Sequence, residues 1–431
     1  MIGVVADDTT GANDIGIMFT NNCYAVKVIT FDSKNAPSPE QADVIVIDTD
    51  SRLDSAKESY DKVFKATKQL RELNCTTYYN KTCSVFRGNI GAELDAMMDV
   101  LGESFAVISL AFPKNGRKTR HGIHRVNGKR LEDSEFAKDP VHPTLESDLV
   151  KVLQSQTARK VSLIPIETVR KGIYALSFAI SKAKERCNYC IIDSETQNDL
   201  KLVAQAIYQL PIICGSSAIA EELPLYWGAT NGLEPLRHKD MRDSNGVLIV
   251  SGSLTPQTKM QTAALIVQGI NYIVMDSRKF FNSESCNFEV ERAVCEAVPL
   301  IHSGKDVLVM ADNNPDIVKE TKQIGQNLGL NELKVSKTVS AILAEVTHQV
   351  LLKTSFKRLI VAGGDTSGTV TRKLGIVGSY IIKEIETGLP SGLSIGPELL
   401  IVLKSGSFGT ANFLSHAIQH LKDLSVVKGG E

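Results

Sequence analysis

Apolar runs of strand length alternate with longer stretches of helical periodicity along almost the whole chain, and this alternation restricts the fold more than any other feature. Residues 2–6, 25–30, 44–47, 77–79, 105–110, 160–165, 189–192 and 212–214 read as strands, while 55–73 and 90–101 carry apolar residues at helical spacing. A strand–helix series of this kind predicts a mostly parallel sheet covered by helices. Over 229–245 the chain becomes polar, charged and rich in Gly and Asn, which reads as a linker. A second series then begins, with strands expected at 247–250, 272–275, 306–310, 358–361 and 399–403. The expectation is an α/β protein of two domains, 1–228 and 246–431, each a mostly parallel sheet under helices. The stretch 113–143, rich in Gly, Arg, Lys, Asp and Pro, is too long for an ordinary connection and has the length of a functional loop.

Composition narrows the function classes. The 48 basic and 49 acidic side chains of the 431 residues leave a formal charge of −1, so no bulk positive field attracts nucleic acid or a membrane surface. No run has the length of a membrane span, and the N-terminus enters a strand without a basic, apolar leader, so a cytoplasmic protein is expected. The eight cysteines are scattered. Cys187 and Cys190 form a CxxC, but a structural zinc site needs two further ligands at matching spacing, and the pair reads as core. No histidine cluster has metal spacing; His121 and His124 are expected on a loop, and no metal ligand is assigned.

Chemistry concentrates where strands end. Residues 2–6 run into Asp7-Asp8-Thr9-Thr10-Gly11, with a helix expected to begin near Ala12. An apolar strand cannot carry two carboxylates inward cheaply, so the pair belongs at the strand's carboxyl end, where open α/β sheets bind ligands. Capping of the following helix by Asp8 or Thr10 is the alternative. Asp48 to Arg52 follow the strand 44–47, and Lys81, Thr82, Cys83, Ser84 and Arg87 follow 77–79. Arg and Lys suit a carboxylate, Asp and Ser suit hydroxyls, so the implied ligand is small, anionic and hydroxylated. Solvated or capping roles for Arg52, Lys81 and Arg87 remain open.

In the second series three Gly/Ser/Thr-rich turns each follow a strand. They are the turn of Ser251, Gly252, Ser253 and Thr255, the turn of Gly363, Gly364, Asp365, Thr366, Ser367 and Gly368, and the turn of Lys404, Ser405, Gly406, Ser407, Phe408 and Gly409. Glycine lets backbone amides approach a ligand, and a following helix N-terminus offers donors to an anion. Three such turns at aligned strand ends point to a phosphate-bearing ligand. None fits the P-loop, the dinucleotide fingerprint or the protein-kinase loop.

Taken in order, Ala-Asp-Asp-x-Thr-Gly-Ala-x-Asp at 6–14, Ser51-Arg52, Lys81-x-x-Ser84, the 87–93 run Arg-Gly-Asn-Ile-Gly-Ala-Glu, Ser251-Gly252-Ser253, the 363–368 run and the 404–409 run resemble the four-carbon acid sugar kinase family. Members of that family act on D-threonate, D-erythronate or 3-oxo-tetronate. Pro113-x-x-Gly116-Arg117 and Asp139-Pro140-x-x-Pro143 fit its long middle excursion. The resemblance implies an N-terminal domain that binds the sugar acid, a C-terminal domain that binds ATP, and an active site in the cleft between them. Substrate contacts carry over to Asp8, Arg52 and Lys81 through Ser84, with Asp7 and Arg87 beside them. Nucleotide contacts carry over to Ser251, Ser253, Thr255, Gly363, Gly364, Asp365, Gly406, Ser407, Phe408 and Gly409. One departure stands out. Threonate-type members read Lys-Ile-Asp-Ser-Thr where this chain reads Lys81-Thr82-Cys83-Ser84-Val85, while the 87–93 run leans toward the threonate-type branch.

The activity implied is transfer of phosphate from ATP, with Mg²⁺ bridging the phosphates, to the terminal hydroxyl of the sugar acid. Asp8 and Asp365 are the two candidates for the carboxylate that orients or deprotonates the hydroxyl. A dehydrogenase with a divergent cofactor loop and a non-enzymatic two-domain sugar-acid sensor are the rival readings. The expected partner is a small sugar acid, with no nucleic acid or membrane; a homodimer is one assembly open to the chain.

Overall fold

A computed structural model describes residues 1–33, 42–138, 143–228, 230, 235–236 and 239–426. Parts of the expected linker (229, 231–234, 237–238) and Asp139-Pro140 lie outside the described residues. The chain divides into two compact units, Met1–Leu233 and Glu234–Glu431.

The first unit contains β1 (Ile2–Ala6), β2 (Val26–Thr30), β3 (Val44–Asp48), β4 (Thr77–Lys81), β5 (Ala106–Ser109), β6 (Arg117–Arg120), β7 (Ile123–Val126), β8 (Lys129–Arg130), β9 (Val161–Ile164), β10 (Tyr189–Ile192) and β11 (Ile212–Gly215). The order β2-β3-β1-β4-β11-β5-β10-β9 is parallel throughout. Register sets Ala6 level with Asp48 and with Lys81, and Lys81 level with Gly215, so chemically different strand ends share one edge. Every residue of β1 and β3 is buried, as sheets covered on both faces require.

Several boundaries differ from expectation, for local reasons. The first helix spans Thr9–Thr20 rather than starting near Ala12, because Asp8 takes the N-cap position and draws Thr9-Thr10-Gly11 into the first turn. Asp48 and Lys81, expected just past their strands, are the last strand residues. The helix Ala56–Glu72 follows the 55–73 pattern closely, opened by a capping box between Ser55 and Glu58. The excursion folds into a separate antiparallel sheet β6-β7-β8, which places His124 in a strand rather than on a loop.

The second unit contains β12 (Leu248–Ser251), β13 (Asn271–Met275), β14 (Val307–Ala311), β15 (Arg358–Ala362), β16 (Gly378–Glu386), β17 (Leu389–Ile395) and β18 (Leu400–Lys404), in the order β13-β14-β12-β15-β18-β17-β16. The first five strands are parallel. The hairpin β16–β17 joins antiparallel through β18, a departure from the parallel series expected here. Leu248 and Val250 enter one apolar cluster and Val247 and Ile249 another, so the period-two pleat buries both faces. Among the described residues no helix is long and apolar enough to cross a membrane.

Candidate active site

The carboxyl edge of the first unit's sheet is a network of charges. Arg52 Nε and Nη2 donate to the two oxygens of Asp7, each at 2.8 Å, and Nη1 donates to Asp8 Oδ2 at 2.5 Å. These use three of the five guanidinium donors. Asp8 also caps its helix: Oδ1 accepts the Gly11 amide at 2.8 Å and Oδ2 accepts the Thr10 hydroxyl at 2.9 Å. Capping and ion pairing therefore coexist in one side chain. A Cβ on Gly11 would stand 2.5 Å from Asp8 Oδ1 and 3.0 Å from Lys81 Nζ, so only glycine permits this packing. Burial pushes the Asp8 carboxyl up, but Arg52, then Lys81, the Gly11 amide and the Thr10 hydroxyl outweigh it and hold it below its ordinary value. Such an anion accepts a proton poorly and a hydrogen bond well.

Lys81, at the end of β4, is buried. Its Nζ donates to the Thr82 carbonyl at 3.2 Å and lies 3.7 Å from Asp14 Oδ2. Asp14 also accepts the Ser217 hydroxyl, while its Oδ1 has no protein partner. Burial pushes Asp14 up to about 6, with Lys81 and Ser217 opposing. Two further buried acids lie nearby in the fold. Asp48 is pushed up to about 7 by burial and then by Asp50, and it accepts the Thr9 hydroxyl at 2.6 Å. Glu93 is pushed up to about 7 by burial and then by Asp7, and it accepts the Ser51 and Ser59 hydroxyls at 2.9 Å each.

The turn after β4 completes this edge. The Thr82 hydroxyl is buried with no protein partner. The Cys83 thiol lies 3.6 Å from Arg87 Nη2; burial raises it, but Arg87 and then Arg52 pull it below the ordinary thiol value. Arg87 also sits 5.3 Å from the Phe136 ring centroid. The Ser84 carbonyl faces His124 Nε2 at 3.0 Å, and burial lowers that imidazole to about 3, so it stays neutral. Phe86 at φ +59 and Gly88 at φ +108 bend the backbone tightly beside Arg52. A cavity of about 420 Å³ borders Arg87, Gly88, Leu131, Thr144 and Gln156.

In the second unit the three glycine turns interlock. Ser251, Ala362 and Lys404 end adjacent strands in register. The Gly252 amide donates to the Ala362 carbonyl at 3.3 Å, and the Gly363 amide to the Lys404 carbonyl at 2.8 Å. A Cβ on Gly406 would meet Thr255 Cγ2 at 2.7 Å and Ser253 Oγ at 2.8 Å, and one on Gly363, at φ +129, would press on Ser253. Thr255 caps the helix Pro256–Val267 and donates to the Gly406 carbonyl at 2.6 Å, so its hydroxyl ties two turns together. The helix Gly364–Lys373 begins without a side-chain cap at Gly363, with exposed Asp365 in its first turn. Phe408 packs against the core and its carbonyl accepts from Gln261 at 3.0 Å; Gly409 turns the chain at φ +87. Ser407, between Gly406 and Phe408, is of intermediate exposure.

A family model described as "Sugar-binding N-terminal domain" matches residues 2–223, and one described as "Nucleotide-binding C-terminal domain" matches 248–414. A protein of Pseudomonas savastanoi pv. phaseolicola named 3-oxo-tetronate kinase is 30% identical over 431 residues, covering 98% of this chain and 97% of that one. A Salmonella typhimurium protein of the same name is 30% identical, covering 96% and 98%. The chain belongs to the four-carbon acid sugar kinase family. Among solved structures, one from Salmonella typhimurium LT2 superposes with a TM-score of 0.82 at 28% identity, covering 97% of this chain and 99% of that chain. One from Haemophilus influenzae gives 0.73 at 26%, covering 97% and 100%.

Within this family frame, the structure brings Asp7, Asp8, Arg52, Lys81, Cys83 and Arg87 into one connected network, and Ser253, Thr255, Gly363 and Gly406 into another. The sequence placed Asp48 and Lys404 in turns at strand ends without a role of their own, and gave none to Asp14 or Glu93. Lys404 and Lys81 shared one usable signal: a lone cation closing an apolar strand.

Proposed function

We propose that the chain is an ATP-dependent kinase that phosphorylates the terminal hydroxyl of a four-carbon sugar acid, giving its 4-phosphate. The observation that carries the reading is the interlock of three glycine turns around an uncapped helix N-terminus in the second unit, which suits a polyphosphate. The name 3-oxo-tetronate kinase, carried by relatives that match nearly the whole chain, supports it. Bound ATP with Mg²⁺ supplies the phosphoryl group and offsets its charge.

The protein's own residues position the acceptor. The remaining donors of Arg52 and the ammonium of Lys81 take the substrate carboxylate, and Asp8, held as an anion, accepts the hydrogen bond of the reacting hydroxyl. The hydroxyl oxygen attacks the γ-phosphorus in line, the bond to the β–γ bridging oxygen breaks with its electron pair leaving on ADP, and the hydroxyl proton, held in the hydrogen bond to Asp8, passes to solvent as the ester forms. A loose transition state demands alignment more than a strong base, which fits a carboxylate of low basicity. Among the described residues no three His, Cys, Asp or Glu are grouped to hold a metal. Mg²⁺ bound with the phosphates would take phosphate oxygens and water as ligands, and Asp365, inside the second glycine turn, would be the carboxylate to hold it.

Release of ADP, measured with 3-oxo-tetronate, D-erythronate and D-threonate in turn, tests the proposal. The relatives' name favours the first acid and the 87–93 run the last. Acid-dependent ADP release is expected; its absence with all three, from folded protein, overturns the reading.

A further inference from the structure

Lys404 closes β18 fully buried, and its ammonium has three hydrogen-bond acceptors: the Ser405 carbonyl at 2.7 Å, the Gly406 carbonyl at 3.1 Å and Thr258 Oγ1 at 3.0 Å. The Gly406 carbonyl is further gripped by the hydroxyls of Thr255 at 2.6 Å and Thr258 at 2.9 Å. In a trans peptide the C=O and the N–H of the same plane point opposite ways. Drawing the 405 and 406 carbonyls onto a buried cation therefore turns the Gly406 and Ser407 amides away from it. Two successive amides turned to one side make an anion-binding nest.

The charge of this lysine is otherwise poorly balanced. Its three acceptors are neutral oxygens. Glu386 is the carboxylate whose field acts on it, and that group's oxygens already accept the Thr410 amide at 2.7 Å, the Thr410 hydroxyl at 2.8 Å and His416 Nδ1 at 3.0 Å. Burial pushes the amine down to about 7 in spite of Glu386. A buried cation without a close anion is costly, and a phosphate seated on the neighbouring amides offsets that cost.

We infer that Lys404 is the positioning residue of the phosphate loop, holding the 405 and 406 carbonyls inward so that the Gly406 and Ser407 amides meet the nucleotide's phosphates, whose charge completes its own. This rests on the kinase reading. The test titrates ADP into full-length wild type, Lys404→Met and Thr258→Val by calorimetry, and measures KM for ATP and for the sugar acid in each. Lys404→Met should weaken ADP and raise KM for ATP about ten- to a hundredfold, the scale of a hydrogen bond to a charged group, with KM for the acid unchanged. Thr258→Val, which removes one acceptor of the ammonium and one donor to Gly406, should cost about fivefold on the same side only.

If wild type itself fails to bind ADP, the kinase reading falls. If wild type binds ADP and Lys404→Met binds it as tightly, the Lys404 inference falls alone. Equal losses for ATP and for the acid mean general damage and also overturn it. Should Lys404→Met not fold, the same comparison on Thr258→Val decides.

Discussion

Two lysines end buried strands in this molecule, and their surroundings differ in kind. Lys81 lies 3.7 Å from Asp14, in an edge where Arg52 grips Asp7 and Asp8. Lys404 meets two carbonyls and a hydroxyl. In the first unit each of these cations already has a carboxylate partner, so a ligand there must trade places within an existing ionic network. The second surrounds its cation with neutral oxygens, which a nearby anion would complement. A sugar acid, with one carboxylate and several hydroxyls, suits the first; a polyphosphate suits the second.

The hardest test of the ionic half is Asp8→Asn. Asn caps a helix about as well as Asp, so the Thr9–Thr20 helix should survive while the charge opposite Arg52 is lost. Turnover should fall by roughly two to four powers of ten, with ADP affinity unchanged. Near-normal turnover would reduce Asp8 to a cap. The same swap at Asp365 ranks the two carboxylates: a larger loss there moves the reacting hydroxyl's partner to the second unit.

Gly406→Val attacks the neutral half. A branched side chain would collide with Thr255 and Ser253 and displace the turn; if the about 1–3 kcal/mol scale of such overpacking falls on the bound state, KM for ATP should rise about five- to 150-fold. KM for the acid should hold. Parallel changes in both constants would show that the two edges are not separable in function.

The gentlest test is pH. Asp14 is pushed up to about 6 and Asp48 and Glu93 to about 7, so the folded first unit binds protons that an unfolded chain has released above about pH 4. Their contribution is present below that and is lost as pH rises through 6 to 7. Asp8, held low, contributes in the opposite sense only below the ordinary carboxylate range. The single tryptophan, Trp227, stacks on Phe19 in the first unit and reports its melting. The midpoint followed by Trp227 fluorescence should fall from pH 5 to pH 8. Lys404, pushed down to about 7, has the reverse sign: a folded amine that sheds its proton early stabilises the second unit as pH rises from 7 toward 10. A fluorescence midpoint that rises over pH 5 to 8 would contradict the buried-acid account.

The parts of this architecture that sequence made visible are those governed by local rules. Strands such as 189–192, the helix at 90–101 and the glycine turns all show in composition and period. The hairpin β16–β17 did not, because Pro390, Ser391 and Gly392 lower strand propensity at its centre and the pairing partner supplies what propensity lacks. The sheet β6-β7-β8 hides for the same reason in Arg-Lys-Thr-Arg. At the site, Asp7, Asp8 and Arg52 stood out as charges beside strand ends. The raised acids did not, since the state of Asp14 depends on Lys81 and Ser217, both distant in sequence. Nor did the grip of Lys404 on its own loop, because it depends on how β18 ends against Thr258, 146 residues away in sequence.

Hydrogen–deuterium exchange on the full chain, with ADP and separately with D-erythronate, tests the division of labour most directly. ADP should slow exchange at 251–258, 363–367 and 405–409 and leave 7–14 and 81–88 unchanged, while the acid should do the reverse. Protection of the first unit's charged edge by ADP, with the glycine turns untouched, would contradict the account.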